Sequence, residues 1–220
     1  TAASVTNNTK LLSSIIWSQA SVHANFGGVI PSVAQREHQE RIDSVISKAL
    51  GKRYKNFKNI DAIAVTIGPG LAVALGVGIE KAKEIATKNS LPLIPINHVE
   101  SHLLSPFAIP KSKTDNLKIK YPALGLVLSG GTTILTKIKS VGEYEILAKT
   151  QDDAIGEALD KGARLLGFGY PGGSILEKVA KLGDIQKFNL PLPLQNDVIK
   201  NRFSYSGIKT AFVRLFNSIN

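Results

Sequence analysis

Residues 62–96, AIAVTIGPGLAVALGVGIEKAKEIATKNSLPLIPI, read as strand, glycine turn, helix and strand. Ala62 to Ile67 is a nearly continuous apolar run, the pattern of a short strand buried on both faces. Gly68-Pro69-Gly70 ends it. Beyond the turn, Leu75, Ile79, Ala82 and Ala86 recur at alternating spacings of four and three with Ile85 beside them, which predicts a helix. Leu91 to Ile96 is the second strand. This order is the grammar of an α/β sheet joined by crossovers. Gly68-Pro69-Gly70 itself reads either as an anion site at a helix N-terminus or as a tight crossover.

Working outward, the N-terminal side reads as two strands, Ala2 to Thr6 and Leu11 to Gln19, around an Asn-Asn turn. Gly27-Gly28 breaks the chain, and a helix from Pro31 to Leu50 follows, with Val33, Ile42, Val45, Ile46 and Leu50 for its buried stripe. On the C-terminal side a helix opens near His98. Pro110 to Lys120 is polar and lysine-rich, a lobe boundary or inserted loop. A second α/β unit begins with a strand at Ala123 to Leu128, a turn at Ser129-Gly130-Gly131-Thr132, and a hairpin partner at Ile134 to Ile138. Helices are expected from about Asp153 to Leu166, capped by Gly167, from Ile175 to Leu182 after Tyr170-Pro171-Gly172-Gly173, and from Tyr205 to Phe216. The domains expected are thus 1–109, a loop at 110–120, and 121–220.

The chain is 43% hydrophobic and 20% charged, which excludes a disordered chain, and no apolar run approaches the roughly 20 residues of a membrane span. A soluble cytoplasmic protein is expected. A net charge of +10 favours polyanionic partners such as RNA, although a basic surface is also often merely solvated. Two clusters stand out in loop-like stretches: Lys52, Arg53, Lys55 and Lys58, then Lys111, Lys113, Lys118 and Lys120. With no cysteine, a metal would need His and carboxylates. The chain begins at Thr1 and has no Met, so it is expected to be a fragment.

The sharpest constellation is Asn97-His98-Val99-Glu100-Ser101-His102. Four helical residues rise about 6 Å and turn slightly more than once, so His98 and His102 share a face. They read either as a clamp for one divalent metal or as two unrelated histidines, and the chain has only four. Val99 stands where a zinc peptidase needs Glu. Ser129-Gly130-Gly131-Thr132-Thr133 at a strand end reads as a phosphate-binding turn whose glycines let a ligand approach, or as an ordinary hairpin. Asp160 reads as an acceptor for ribose hydroxyls or an orienter of a metal-bound group, or as half of an ion pair with Lys161 or Arg164.

Taken together, the motifs resemble the tRNA adenosine threonylcarbamoyltransferase family, the TsaD type with archaeal and mitochondrial relatives. The matching stretches are GGVIPSVAQREHQERI from Gly27, GPGLAVALGVGIEKAKEIA from Gly68, INHVESHLLSP from Ile96, LVLSGGTT from Leu126, DDAIGEALDKGARLLGFGYPGG from Asp152 and FSYSGIKTA from Phe203. The resemblance implies a fold like that of actin, sugar kinases and heat-shock ATPases, two α/β lobes with a nucleotide cleft. It implies transfer of a threonylcarbamoyl group from threonylcarbamoyl-AMP to the N6 amine of adenosine next to the anticodon, in tRNAs reading codons that begin with A. His98 and His102 match its metal ligands, the metal being Fe2+ or, as the alternative, Zn2+. Val127, Leu128, Ser129, Gly130, Gly131, Asp160, Gly173 and, more loosely, Glu177 match positions that contact the adenylate. The implied partners are tRNA, threonylcarbamoyl-AMP and further subunits of a modification complex; neither DNA nor membrane is expected.

The chain departs from the family pattern in places. Thr132 stands where the family usually has His, and Val73 where it usually has glycine. The family's first strand is expected before Thr1. Beyond Asn220 are expected a nucleotide-contacting Asn and the Asp that completes the metal site, so these 220 residues alone are expected to be inactive. The alternatives are a non-catalytic scaffold of the same complex, against which the intact His pair speaks, and a carbamoyltransferase acting on a small molecule.

Overall fold

The computed structural model describes residues 1–110, 120–194 and 201–219. They form two compact units, the described residues of Thr1–Val22 with Val29–Ile119, and of His23–Gly28 with Lys120–Asn220. The short segment His23–Gly28 therefore leaves the N-terminal part to join the second unit, which the contiguous domain 1–109 did not anticipate. Gly27 lies against Arg164 there: a Cβ on it would be 3.8 Å from the guanidinium. Lys111, Lys113 and Lys118 of the lysine-rich loop lie outside the described residues.

In the first unit β1 (Ala2–Asn7) and β2 (Lys10–Ile16) pair antiparallel around Asn8, whose φ of 51° is the left-handed turn conformation that Asn tolerates. A two-residue strand, β5 (Ile109–Pro110), adds in parallel to β2. After the short α1 (Ala20–Ala24), Pro31 starts α2 (Pro31–Leu50), and Gly51 ends it at φ 55°. The helix rests on β1 and β2 and also touches α3 (Ala72–Asn89). Its buried residues are Ala34, Glu37, Val45 and Ala49, so of the expected stripe only Val45 is fully covered. Val33, Ile42, Ile46 and Leu50 are partly covered.

The strand, helix and strand of residues 62–96 are present as β3 (Ile63–Gly68), α3 and β4 (Leu93–Asn97). β3 and β4 pair in parallel from Ile63↔Leu93 to Gly68↔Asn97, and α3 is their crossover. β3 is not buried on both faces as its apolar run suggested: Ile67 is 52% exposed. Among the described residues, α3 and, at its end, α4 (His98–Leu104) pack on a sheet that has only two strands.

The second unit is built on β6 (Ala123–Leu128), β7 (Thr133–Ser140) and β8 (Glu143–Thr150), an antiparallel meander to which β9 (Arg202–Phe203) adds in parallel. The sequence reading left β8 unassigned, although Tyr144, Ile146 and Ala148 alternate. α5 (Ile155–Leu165) packs on α6 (Gly173–Ala180) and on α7 (Ser206–Ile219). Gly167 follows α5 at φ 80°, donating its N–H to Arg164 O at 3.0 Å. No helix among the described residues is long and apolar enough to cross a membrane.

Two adjacent aspartates tie the far end of this unit to its sheet. Asp152 Oδ1 accepts from the N–H groups of Tyr205 at 2.8 Å and Ser206 at 3.4 Å, and its Oδ2 accepts from Ser204 Oγ at 2.5 Å. It thereby caps α7 from a distant point in the chain. Asp153 accepts from Lys209 and, at 3.3 Å, from Lys161. Burial alone raises the Asp152 carboxyl, and the hydrogen bonds from Ser204, Tyr205, Ser206 and Thr150 outweigh it, leaving it below the ordinary value. The hydrogen bond from Lys209 does the same for Asp153, helped by Lys161 and opposed by burial. With both folded values depressed, their stabilisation is complete above the unfolded value of about 4 and disappears as pH falls through the folded ones. Urea midpoints measured from pH 7 to pH 3 should therefore fall below pH ~4. The Asp152→Asn, Asp153→Asn variant should start about 1–3 kcal/mol lower at pH 7 and fall less.

Candidate functional site

The two histidines stand where the sequence spacing places them. Asn97, the last residue of β4, caps α4 by accepting from the N–H groups of Val99 at 2.9 Å and Glu100 at 3.2 Å. This cap sets the helix direction at the strand end and so aims the exposed His98 and His102 side by side. Their Nε2 atoms are 3.2 Å apart, with ring centroids at 4.5 Å. Two nitrogens about 2.0–2.1 Å from one tetrahedral ion lie about 3.3–3.4 Å apart, so the pair fits two corners of a metal site. Burial lowers the pKa of His98, and the charge of a protonated His102 would lower it further. Both effects favour the neutral form, the one that binds metal. Among the described residues no group of three or more His, Cys, Asp or Glu is placed to hold an ion.

The second set of residues gathers along α5. The turn after β6 is closed by Ser129 and Thr132: Ser129 N–H donates to Thr132 O at 2.8 Å, and Ser129 Oγ accepts from Thr132 N–H at 3.0 Å and Gly131 N–H at 3.4 Å. Two N–H groups expected to face a phosphate are thus drawn onto the serine hydroxyl. What the turn offers a ligand is the bare face of its glycines. Neither Gly130 nor Gly131 has a positive φ, and a Cβ on either would meet nothing within 4 Å. Among the described residues, packing and backbone therefore give no reason for glycine at either place.

Gly156 gives the opposite result. Its N–H donates to Ser129 O at 3.1 Å, and a Cβ there would lie 2.6 Å from that oxygen and 2.8 Å from Gly130 Cα. The preceding N–H, of Ile155, donates to Thr133 Oγ1 at 2.9 Å. The first turn of α5 is fastened to the glycine turn by these two bonds. One turn along the same face, Asp160 Oδ1 accepts from the N–H groups of Gly172 at 2.9 Å and Gly173 at 3.0 Å. Asp160 thereby caps α6, which has no capping side chain of its own. Its reading as an ion-pair partner fails, because Lys161 bonds Asp153 and Glu157 instead. Four helical residues rise about 6 Å, so α5 anchors the glycine turn and the Gly172-Gly173 corner one helical turn apart along one face.

The other matched positions are less engaged. Val127 is 5% exposed, so its side chain serves the core and only its backbone can meet a ligand. Leu128 alternates to the exposed face, and Glu177 pairs with Lys181 at 3.4 Å on the surface. A groove of about 670 Å³ between α2 and α3, lined by Gln39, Asp43, Gly76 and Lys81 among others, includes none of these residues. Gly70 packs on Leu75, with a Cβ position 3.3 Å from it, as a tight crossover requires. In the sequence Thr133 reads as part of the phosphate-binding turn, not as the partner of α5, and Gly156 is not singled out. The one available signal was a second glycine four residues before Asp160, the helical spacing that puts both on one face.

Residues 10–219 match the sequence model of the TsaD family, tRNA N6-adenosine threonylcarbamoyltransferase. The chain is 46% identical over 206 residues to the protein of that name from Persephonella marina, covering 93% of this chain and 58% of the relative. It is 44% identical over 212 residues to that of Trichlorobacter lovleyi, with 96% and 60% covered. To that of Clostridium botulinum strain Hall it is 44% identical over 217 residues, with 98% and 62% covered. The chain spans about six-tenths of the length of these curated relatives.

The contrast between the glycines is open to measurement. Gly131→Ala should leave thermal stability within about 1 kcal/mol of the parent. Gly156→Ala should cost about 1–3 kcal/mol, because a methyl group must displace backbone rather than a flexible side chain.

Proposed function

Since the chain belongs to the tRNA N6-adenosine threonylcarbamoyltransferase family, we propose that it serves transfer of the threonylcarbamoyl group of threonylcarbamoyl-AMP to the N6 amine of an adenosine next to the anticodon. The tRNAs are those reading codons that begin with A, and the reaction belongs to the cytoplasm. The two units are assigned, on the same ground, to the lobes of an actin- and sugar-kinase-like fold. What supports the reading most is the arrangement along α5, where two glycines that no contact among the described residues requires stand beside an anchored carboxylate.

The residues take separate tasks. Gly130 and Gly131 admit the adenylate against bare backbone, where any side chain would occupy its place. Asp160 spends Oδ1 on the amides of Gly172 and Gly173, which leaves Oδ2 to accept ribose hydroxyls. Asp160→Ala would therefore lose both a ligand bond and the start of α6. His98 and His102 hold one divalent ion, Fe2+ or alternatively Zn2+, through Nε2. That ion, when bound, supplies a Lewis acid for the carbonyl under attack and positive charge for the leaving phosphate. Further subunits complete the modification complex.

Two measurements test the proposal. Elemental analysis of the protein purified with its partners should find one metal per chain, absent in the His98→Ala, His102→Ala variant, which should also lose transfer to tRNA; equal metal in both would remove the assignment. Calorimetry with a non-hydrolysable threonylcarbamoyl-adenylate analogue should show Gly131→Val at least ~30-fold weaker than the parent, since a branched side chain fills the approach. Unchanged affinity in a folded variant would place the ligand elsewhere.

A further inference from the structure

Between Asp43 and Glu80 the chain carries Lys48, Lys52, Arg53, Lys55 and Lys58 and a single carboxylate, Asp61. All five cations are exposed. Among the described residues none of the five has a carboxylate partner, whereas Lys81, Lys83, Lys139, Lys161, Lys181 and Lys209 each have one. Lys48 has a local reason to be there, because a cation in the last turn of α2 suits the helix dipole. Lys55 and Lys58 lie beyond that turn, and the dipole does not account for them.

The segment that presents them has a defined shape. Tyr54 is 9% exposed and anchors it, donating its N–H to Leu50 O at 3.2 Å. Successive turns follow, Phe57 N–H to Tyr54 O at 3.0 Å and Ile60 N–H to Phe57 O at 3.2 Å. Asn56, Phe57 and Asn59 hold left-handed φ values of 57°, 60° and 61°. The Arg53 guanidinium lies over the Tyr54 ring, 5.4 Å from its centroid. Four cations are thus set out on a turned backbone, two before the tyrosine anchor and two after it, where less order must be imposed on binding than for a free tail.

We infer that residues 52–58 are a docking surface for the phosphate backbone of RNA, and that they hold the tRNA substrate at a point remote from the reacting group. The inference rests on the tRNA-modifying reading above. Position supports remoteness. The segment leads into the start of β3, and Ile63 N–H donates to Pro92 O at 2.9 Å, which brings Lys88 at the end of α3 to the same edge. His98 and His102 follow the other end of β4, five residues away along the strand, or about 16 Å. A contact there reads charge and spacing, not sequence, and adds affinity without touching the chemical step.

The test is binding of an unmodified tRNA transcript to the intact protein by anisotropy at ~50–300 mM salt. The variant Lys52→Gln, Arg53→Gln, Lys55→Gln, Lys58→Gln is expected to bind about tenfold or more weakly at ~0.1 M salt, with a log–log salt slope shallower by about 2–4. The loss should be the same for a tRNA lacking the target adenosine, and transfer at saturating tRNA should be unchanged. Lys55→Gln, Lys58→Gln, which removes two of the four cations, should show about half the slope change. Lys52→Arg, Lys55→Arg, Lys58→Arg should bind as the parent does. Parent-like affinity and slope in the glutamine variants would overturn the inference and leave the function intact, as would loss of a protein partner in place of tRNA. A parent that binds no tRNA would overturn both.

Discussion

Gly156 approaches the carbonyl of Ser129 so closely that no side chain fits between them, and the hydrogen bond made there fixes one end of α5 to the turn after β6. Much of the second unit follows from that contact. Thr133 takes the neighbouring N–H, so the first strand residue after the turn is held as well. Once the start of the helix is set, the helical repeat sets Asp160 one turn on, and Asp160 in turn sets the start of α6. Gly172 closes the arrangement: a Cβ there would lie 2.1 Å from that of Ala163, so α5 and this corner touch without side chains between them. The order turn, α5, corner is a ruler made of backbone.

Acidic groups in this unit are mostly committed to holding structure. Asp152 caps α7, Asp153 binds two lysines, one oxygen of Asp160 caps α6, and Glu177 pairs with Lys181. What remains uncommitted around α5 among the described residues is uncovered glycine and the second oxygen of Asp160. A site of that kind recognises by shape and by hydrogen bonds to a few fixed groups. In the first unit the logic is local. One asparagine at the end of β4 directs a short helix, and the helical repeat alone then brings two imidazoles to metal-binding distance.

Periodicity and turn chemistry carry over well to the elements. Pro31 and Gly51 bracket α2 as a helix start and stop do, and the glycine step between β3 and α3 falls where a crossover must turn. The His pair was legible for the same reason, since a repeat of 3.6 residues is a property of the chain itself. Burial was less legible. The apolar run at Ala62 to Ile67 states what could be buried, and how many strands and helices actually cover it is a matter of neighbours far along the chain. On α2, Ala34, Glu37, Val45 and Ala49 are the residues covered most completely, which depends on where the sheet and α3 lie against the helix.

By itself, then, the sequence determined the α/β alternation, the two-histidine spacing, the glycine turn and the family. Only tertiary structure decided that Gly156 is fixed against the turn that holds Gly131, and that Asp160 caps a backbone twelve residues away. It also decided that residues His23–Gly28 go with the second unit. The physical reason is common to all three. Local patterns follow from bonds and dihedral angles that each residue carries with it, whereas the value of a missing Cβ or a carboxylate oxygen depends on which distant atoms the fold brings within hydrogen-bonding or van der Waals reach.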